Sequence, residues 1–497
     1  MKFWKKYHKW GGIILSIFLI LFSVSGILLN HRNWISNLNV PRSILSESYQ
    51  YINWNNASLK GVLSLNNDEE LFYGNVGCWK YNKRQKSWKN FNSGFPKGID
   101  NRKISKLALT SNHRLFAGTQ FGLYEFIDKQ WTPINIDAQS KRITDLLDVN
   151  DTLYILTRSE LGSLQINQDN QQVCFRELPA PADYKTQVGL FRTLWVLHSG
   201  EIIGILGKFA VDGIAILFIF FIVTGLIWFI NPKLIKKAKR KGKSIFRKQS
   251  LLRWSVKWHN KIGIYTFIFL GFTTLTGIFL RPPLLIAIAN TMVDPIPLSK
   301  LDTPNAWDDQ LRAINYNEKY DFFLLSTSKG FYALSSDKSE MIKIPKDPPV
   351  SVMGINVFEP LNHQEYIIGS FSGLFRWDPI NMEVRSFPDT KPVVQDSAPT
   401  RPISAQMVTG IYYKSDGQYY FDYNKGVVGI SDNDFPTIPD VIIENSPLSL
   451  WNFALEIHTG RIFQDFTGAF YILIVPLVGI TTLLLLFSGV WIWYKKK

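Results

Sequence analysis

Four stretches of this chain contain no Asp, Glu, Lys or Arg and consist mainly of Ile, Leu, Phe and Val. They are Trp10–Asn30, Gly213–Ile230, Ile262–Leu280 and Phe466–Tyr494. Each is long enough to cross a hydrocarbon core of about 30 Å at about 1.5 Å per residue. The sequence therefore predicts four transmembrane helices in a lipid bilayer. We interpret the first stretch as a retained anchor because it lacks a small-residue cleavage site.

The net charge of +15 is concentrated beside these stretches. Lysines precede the first stretch, twelve Lys and Arg residues without any acid lie in 232–261, and Lys495, Lys496 and Lys497 end the chain. Basic flanks mark the cytoplasmic side of a membrane protein. We therefore expect a protein of the bacterial inner membrane with both termini in the cytoplasm and two large segments in the periplasm. Elsewhere acidic residues outnumber basic ones, which argues against nucleic acid as a partner.

The chain contains two tandem copies of one two-span unit. Tyr7–Ile13 aligns with Trp258–Ile264 at the start of the first and third spans, and Leu197–Ile202 aligns with Ile457–Ile462 before the second and fourth. Because each unit has two spans, both copies have the same orientation in the membrane. This predicts a pseudo-twofold axis along the membrane normal, with equivalent residues at equal depth.

The two outward segments carry a shorter repeat, in which an aromatic or β-branched run is followed by a turn glycine and a further apolar run. It occurs three times per copy, around Gly77, Gly122, Gly162, Gly330, Gly373 and Gly426. This spacing is typical of β-propeller blades. The predicted fold class is mixed membrane α + β: a four-helix transmembrane bundle from two tandem two-span repeats, with an outward-facing six-bladed β-propeller-like domain, three blades from each repeat. Two separate small β domains are the alternative.

These predictions divide the chain into seven segments. They are 1–31 (helix 1), 32–195 (three blades), 196–231 (helix 2 with an outer extension), 232–257 (basic cytoplasmic linker), 258–281 (helix 3), 282–450 (three blades) and 451–497 (helix 4 with a basic cytoplasmic tail).

Several kinds of site are excluded by the sequence. With only Cys78 and Cys174, a CxxC metal site or a covalent CxxCH haem is ruled out, while a disulfide and two unpaired thiols both stay open. The chain has no Walker loop, HExxH or GxSxG element. The cytoplasmic linker is too short for a nicotinamide or flavin domain.

Five of the seven histidines lie near the ends of the predicted spans: His8, His31, His198, His259 and His458. The repeat places His8 opposite His259 near the cytoplasmic face and His198 opposite His458 on the outer side. A low-spin b haem needs two neutral imidazoles on opposite faces of its iron. These pairs therefore predict axial ligands for one or two b haems. The alternative is that they are interfacial residues retained by duplication.

Two further polar residues, His31 and Asp212, flank the predicted spans. His31 breaks the repeat because its counterpart is Pro282, so it is an alternative outer ligand in place of His198 or His458. Asp212 begins the second predicted span, where helix capping and charge compensation are the expected roles.

The motifs around these histidines resemble the PepSY-associated transmembrane family, which includes inner-membrane reductases of ferric siderophores. They are His8 with Gly12, Ser25-Gly26, Leu197–Gly200 and Ile457–Gly460. The resemblance covers all four spans. It implies a haem-bearing reductase that delivers electrons to a ferric siderophore or other Fe(III) chelate, with His8, His198, His259 and His458 as ligands and His31 in the Leu-Leu-Asn-His-Arg ending of span one. The blade-like repeats replace the α+β modules usual in the family, so the substrate is left open.

The leading hypothesis is a haem-dependent, ferric-siderophore-reductase-like oxidoreductase. Its electrons would come from an unidentified donor, either a quinol or a redox protein. The alternative is a non-enzymatic periplasmic propeller receptor or assembly partner that the four helices merely anchor. Transport ranks last because the spans lack broken, charge-lined helices.

Overall fold

The computed structural model describes residues 1–167, 172–182, 184–351, 354–393, 404–414, 416–430 and 434–495. Lys496 and Lys497 of the predicted basic tail lie outside these residues. The chain forms two compact units, a membrane unit (Met1–Ile35, Thr186–Asp302 and Leu450–Lys497) and a β unit (Ser36–Lys185 and Thr303–Ser449). The two segments that were predicted to face outward thus belong to one compact unit.

The described helices are α1 (Lys2–Asn30), α2 (Arg32–Ile35), α3 (Leu190–Ser199), α4 (Gly204–Arg240), α5 (Phe246–Phe279), α6 (Leu284–Ile288), α7 (Asp440–Glu444), α8 (Leu450–His458), α9 (Gln464–Thr467) and α10 (Tyr471–Tyr494). All except α7 belong to the membrane unit.

Four helical segments are long and apolar enough to cross a membrane: Lys2–Asn30, Glu201–Arg240, Phe246–Phe279 and Arg461–Tyr494. They confirm the four predicted spans. Only 11% to 28% of the most apolar window of each segment is buried within the protein, which leaves most of its apolar side chains available to lipid. The helices extend beyond the charge-free stretches, since the cost of a charged side chain falls toward the membrane surface.

In the membrane unit, α1 packs against α4 and α10, and α5 packs against the same two helices. α1 and α5 therefore lie on one diagonal of the bundle. The short helix α8 packs on α1, and α3 packs on α5. Both short helices are followed by a glycine in the left-handed region, Gly200 (φ 77°) and Gly460 (φ 74°). This conformation, which is cheap only for glycine, explains the shared His-Ser-Gly and His-Thr-Gly sequences.

The strands of the β unit form antiparallel meanders, in which each strand pairs with the next along the chain. The first half contains β1 (Asn39–Val40), β2 (Gly61–Ser64), β3 (Glu69–Gly74), β4 (Gly77–Asn82), β5 (Ser87–Asn90), β6 (Ile104–Leu109), β7 (Leu115–Thr119), β8 (Leu123–Ile127), β9 (Gln130–Ile134), β10 (Ile143–Val149), β11 (Thr152–Thr157), β12 (Leu161–Gln165) and β13 (Cys174–Arg176). Two short strands of the membrane unit, β14 (Val188–Gly189) and β15 (Met292–Val293), pair with each other.

The second half contains β16 (Leu311–Asn317), β17 (Phe322–Thr327), β18 (Gly330–Ser335), β19 (Met341–Lys343), β20 (Ile355–Pro360), β21 (Tyr366–Ser370), β22 (Gly373–Asp378), β23 (Glu383–Ser386), β24 (Val408–Lys414), β25 (Gly417–Asp422), β26 (Gly426–Gly429) and β27 (Leu448–Ser449). β2–β5 and β24–β26 share one seven-stranded sheet, joined by a parallel bridge between Gly61 and Ile411. β27 pairs with β1.

The first strands of successive meanders are neighbours: β2 contacts β6, β6 contacts β10, β10 contacts β16, β16 contacts β20, β20 contacts β24, and β24 contacts β2. Two apolar clusters join the halves of the β unit. One packs Trp307 and Phe323 against Leu156, and the other packs Trp54 and Phe72 against Phe421. Burial of these side chains stabilises the association of the two halves.

Five of the six repeat glycines lie at hairpin turns with positive φ. Gly162 is the exception, because it lies within β12 and pairs with Ile155. The turn of that hairpin comes earlier, where the Thr157 hydroxyl accepts hydrogen bonds from the backbone N–H groups of Ser159 and Glu160. The same side-chain turn precedes Gly122 and Gly330, where Thr119 and Thr327 accept from the backbone, so Glu160 occupies the position that the glycine has in those hairpins. Cys78 and Cys174 are unpaired thiols.

Candidate functional site

The inner histidines, His8 on α1 and His259 on α5, face each other across the diagonal of the bundle. Their ring centroids are 6.2 Å apart, and the ring planes are inclined by 86°. Nδ1 of His8 lies 2.9 Å from the Ser488 hydroxyl and 3.2 Å from the Leu485 carbonyl oxygen. Nδ1 of His259 lies 2.8 Å from the Thr224 hydroxyl. The structure thus brings together the two histidines that the sequence repeat predicts to be a pair.

The outer histidines, His198 on α3 and His458 on α8, form a second pair with ring centroids 6.1 Å apart and planes inclined by 51°. Nδ1 of His198 lies 2.9 Å from the Thr273 carbonyl oxygen. Nδ1 of His458 lies 3.0 Å from the Phe22 carbonyl oxygen. Each outer histidine therefore docks on a span from the other copy of the repeat.

All four histidines share one type of receptor, a Ser-Gly or Thr-Gly dipeptide on a neighbouring helix. The pairs are His8 with Ser488-Gly489, His259 with Thr224-Gly225, His198 with Thr276-Gly277, and His458 with Ser25-Gly26. Of these dipeptides, only Ser25-Gly26 was identified from the sequence, as a family motif, and no contact with histidine was predicted for it. Their occurrence in every span was the signal that could have revealed it.

The hydroxyls of these dipeptides fix the histidine tautomer. Each donates its proton to a carbonyl of its own helix; Thr224, for example, donates to Phe220 at 2.8 Å and Ser25 to Leu21 at 2.6 Å. The oxygen can then accept a hydrogen bond from Nδ1–H. Carbonyl oxygens, which can only accept, also lie next to Nδ1 of His8, His198 and His458 and favour the same tautomer. Nδ1–H donors leave the Nε2 lone pair of each imidazole available to a metal.

The glycines of the dipeptides allow the histidine rings to lie against the backbone of the neighbouring helix. A Cβ atom would lie 2.7 Å from Cε1 of His198 at Gly277, 3.1 Å from that of His8 at Gly489, and 3.2 Å from that of His458 at Gly26. At Gly225 the distance to His259 would be 3.9 Å, an ordinary contact. Three of the four positions therefore have little or no room for a side chain.

The spacing within both pairs fits a bis-histidine haem. Two imidazoles bound to opposite faces of one iron by bonds of about 2 Å have centroids about 6 Å apart. This agrees with the values of 6.2 and 6.1 Å.

The surroundings of the inner pair also fit a macrocycle. A cavity of about 620 Å³ is lined by both histidines, by Phe221 and Phe229, and by small residues such as Gly12 and Gly263. Lys5, Lys9 and Lys233 lie at the same cavity. Apolar walls with a few cationic groups suit a porphyrin with two carboxylate substituents.

Arg281 supplies the corresponding cation at the outer pair. It follows α5 and lies within electrostatic range of His458. Its Nε atom is buried and has no hydrogen-bond partner among the described residues. A buried donor without a partner is costly, and a haem carboxylate would satisfy it. Arg281 was not among the site residues predicted from the sequence.

His31 lies elsewhere. Its Nε2 is 2.6 Å from a carboxylate oxygen of Asp212, whose other oxygen accepts a hydrogen bond from Asn30 at 3.0 Å. The ring stacks on Trp34 with a centroid distance of 4.2 Å. Because α4 begins at Gly204, Asp212 lies inside this helix, and the expectation that it caps the helix was wrong. Its role is to hold His31 and Asn30.

Comparisons with solved structures show only distant similarity. The extracellular domain of a putative hybrid two-component system from B. thetaiotaomicron is 11% identical, with 78% of this chain and 36% of that chain covered and a TM-score of 0.36. A putative one-component system from the same organism is 9% identical, with coverages of 81% and 44% and a TM-score of 0.34. A dihydro-heme d1 dehydrogenase is 9% identical, with coverages of 73% and 51% and a TM-score of 0.28.

The chain thus spans about a third to half of the length of these proteins. At such TM-scores the similarities carry no argument about function. No curated protein matches the sequence.

The family comparison is informative over the whole chain. The family described as the PepSY-associated TM region matches residues 1–231 and again residues 197–496. The two matches follow the duplication, and together they include all four spans and both histidine pairs. The chain therefore belongs to the family of the PepSY-associated TM region.

Proposed function

We propose that the protein is a b-type haem protein of the bacterial inner membrane that passes electrons to a periplasmic Fe(III) chelate, such as a ferric siderophore. One observation carries this proposal. In each of two histidine pairs, the members occupy equivalent places in the two copies of the repeat, and their ring centroids are 6.2 and 6.1 Å apart. When bound at these pairs, haem supplies one-electron redox chemistry.

The residues of the chain have distinct tasks in this proposal. His8 and His259 hold the inner iron, and His198 and His458 hold the outer one. The Ser and Thr hydroxyls orient the imidazoles and keep their Nε2 lone pairs free. Lys5, Lys9 and Lys233 would form ion pairs with the carboxylates of the inner haem, and Arg281 would do so with those of the outer haem.

The arrangement of the two sites favours transfer across the bilayer. His8 belongs to the inner site, and Ser25, seventeen residues further along α1, contacts His458 of the outer site. Seventeen residues of α-helix span about 25 Å. The two sites thus lie at levels near opposite faces of a hydrocarbon core of about 30 Å.

The proposal includes the outward domain. We take the β unit to be a closed six-bladed propeller in the periplasm, with both chain termini in the cytoplasm. The cyclic order of first-strand contacts from β2 to β24 and back to β2 supports closure. The basic residues of 232–261 support the orientation.

Electron transfer can be tested directly with the purified full-length protein. After reduction with dithionite, it should show the α band of a low-spin b cytochrome and lose it on mixing with Fe(III)–EDTA. The double variant H8A/H198A should have no such band, whereas H363A, which changes an exposed histidine of the β unit, should behave like the wild type.

Two results would contradict the proposal. A wild-type protein that is colourless and does not take up added haem would favour the alternative of an anchored receptor. If Fe(III) chelates do not oxidise the reduced, haem-loaded protein, the proposed electron acceptor is wrong, but the assignment of the protein as a cytochrome stands.

A further inference from the structure

His31 and Asp212 form a hydrogen-bonded pair in the membrane unit that the haem sites do not use. Nε2 of His31 lies 2.6 Å from one carboxylate oxygen of Asp212, and Asn30 donates to the other at 3.0 Å. Because a carboxylate only accepts, Nε2 carries the imidazole proton and Nδ1 keeps its lone pair. Among the described residues nothing pairs with Nδ1. His31 is therefore a base, oriented by a carboxylate that stabilises its imidazolium form.

This pair is buried beside exposed aromatic rings. The side chains of His31 and Asp212 are 8% and 11% exposed, and the imidazole stacks on Trp34 with the ring planes inclined by 11°. The ring of Phe209 lies 5.5 Å from the imidazole, between centroids. Trp34 and Phe209 are themselves 66% and 48% exposed. A base beside exposed aromatic faces suits a ligand that combines a planar ring with a hydroxyl group.

The His31–Asp212 pair occurs in one copy of the repeat only. The four candidate haem ligands and their Ser-Gly or Thr-Gly receptors occur in both copies, whereas the counterpart of His31 is Pro282. Helix packing alone does not account for the pair, since a buried ion pair adds little net stability compared with apolar side chains. Ionisable residues at membrane depth are costly and mark sites for ions, protons or substrates. The pair therefore points to a step other than haem binding.

The pair also lies close to the outer histidines. Ser25 of α1 contacts His458, and His31 follows Ser25 by six residues, or about 9 Å of helix. The indole of Trp451, on the helix α8 that ends at His458, donates to the Leu29 carbonyl oxygen at 3.2 Å. Six residues are fewer than two helical turns, so an electron donor bound at His31 would lie next to the outer haem site.

We propose that His31 and Asp212 form a quinol-oxidation site and that the electron donor is a quinol dissolved in the bilayer. The inference rests on the proposed function. A soluble redox protein passes electrons to a haem without a proton-accepting group on the membrane protein. A quinol, in contrast, has a planar ring, arrives from the lipid and must lose a proton from each hydroxyl as it is oxidised. His31 provides the base, and Trp34 and Phe209 provide the aromatic faces.

The reaction balances over both haems. Oxidation of one quinol to the quinone breaks two O–H bonds and gives two protons and two electrons. Nδ1 of His31 takes the protons one after the other and passes each to water, while Asp212 stabilises the imidazolium. The two electrons change the two haem irons from Fe(III) to Fe(II). Because a ferric chelate takes one electron at a time, one haem holds the second electron until the next chelate arrives.

Binding of 2-heptyl-4-hydroxyquinoline N-oxide, a fluorescent quinol analogue, tests the site without electron transfer. Fluorescence titration with the full-length protein in non-ionic detergent should show quenching that saturates. W34A removes the stacking surface and should weaken binding roughly fivefold. The matched control W254A removes another exposed tryptophan of the membrane unit and should bind like the wild type. Absence of quenching with the wild type, or equal losses in both variants, would overturn the inference.

Stopped-flow reduction of the oxidised protein by decylubiquinol tests the role of the base. H31Q should slow haem reduction at saturating quinol roughly 100-fold, because an amide accepts a hydrogen bond but does not hold the proton. D212N should slow it as well, since a neutral amide does not stabilise the imidazolium. Dithionite, which needs no base, should reduce both variants at the wild-type rate, and H363A should behave like the wild type with either reductant.

The results separate this inference from the proposed function. Reduction of H31Q by decylubiquinol at the wild-type rate, or equal slowing with dithionite, would overturn the quinol site. A haem-loaded protein that Fe(III) chelates oxidise but decylubiquinol does not reduce would also overturn it, while the proposed function would stand. If the protein binds the quinol analogue but has no haem spectrum, the proposed function fails and the quinol-binding site stands without its electron-transfer step.

Discussion

The inner histidines are part of long membrane helices, whereas the outer ones end short separate helices. His8 and His259 lie within α1 and α5, so the packing of the bundle sets their positions. His198 and His458 lie at the ends of α3 and α8, where Gly200 and Gly460 redirect the chain into the spans. Histidines within long helices and histidines at the ends of short helices thus reach the same ring spacing. In both arrangements each ring contacts a Ser-Gly or Thr-Gly dipeptide of a neighbouring helix.

The largest effect should separate His198 from His31, the two histidines that the sequence left as competing outer ligands. H198A should remove the outer haem completely, because an iron with one protein ligand is poorly held. H31A should retain it, since His31 is bound to Asp212 and stacks on Trp34. Haem content and the reduced spectrum of each variant measure this. Loss of haem in H31A with retention in H198A would reverse the assignment.

The glycine of each receptor should have the next largest effect. In G277A the new Cβ would lie 2.7 Å from His198, and overpacking of about 1–3 kcal/mol corresponds to roughly 5- to 150-fold weaker haem binding at the outer site. G225A, where the distance is 3.9 Å, should leave the inner site unchanged.

Titration of the apoprotein with haem measures the dissociation constants of the inner and outer sites. Because both substitutions add the same methyl group to a span, G225A is a matched control. Equal effects of the two would show that the receptors do not hold the rings as described.

The receptor hydroxyls should have a smaller effect, and the inner site should be the more sensitive. Thr224 provides the one hydrogen bond that the described residues offer to Nδ1 of His259, so T224V should weaken haem retention roughly tenfold. S25A should weaken it less, because the Phe22 carbonyl still accepts from His458 at 3.0 Å. Rates of haem loss to apomyoglobin compare the two, with T224S as the conservative control. A greater loss in S25A would contradict the proposed hydrogen-bond pattern.

The smallest effect is spectroscopic and needs no substitution. The imidazole planes are inclined by 86° at the inner site and by 51° at the outer site. Anisotropy of the low-spin ferric EPR signal increases as the two axial planes approach perpendicular, so the inner haem should give the more anisotropic signal. H198A should retain that signal, and H8A should lose it. Indistinguishable signals would mean that haem binding equalises the ring planes.

The sequence predicted the parts of this architecture that depend on composition and symmetry. Charge-free stretches gave the four spans because bilayer thickness sets their length, and the duplication paired His8 with His259 and His198 with His458. It could not choose between His198 and His31, since both follow the pattern of a span-end histidine. The contact of His31 with Asp212 depends on how α1 packs on α4.

Other features were missed because they arise from tertiary packing. Arg281 appeared to be one basic residue near a span end, and only its burial without a partner singles it out. Gly162 followed the repeat, yet it lies within β12, and Glu160 occupies the turn position instead. In both cases local sequence was compatible with several arrangements, and long-range contacts selected one.

The central claim is that each histidine pair holds one b haem, and the haem-to-protein ratio tests it most directly. Pyridine haemochrome analysis of the purified, haem-saturated full-length protein should give two b haems per chain, and each of H8A, H259A, H198A and H458A should give one. A wild-type ratio of zero, or a ratio that these four substitutions leave unchanged, would contradict the account.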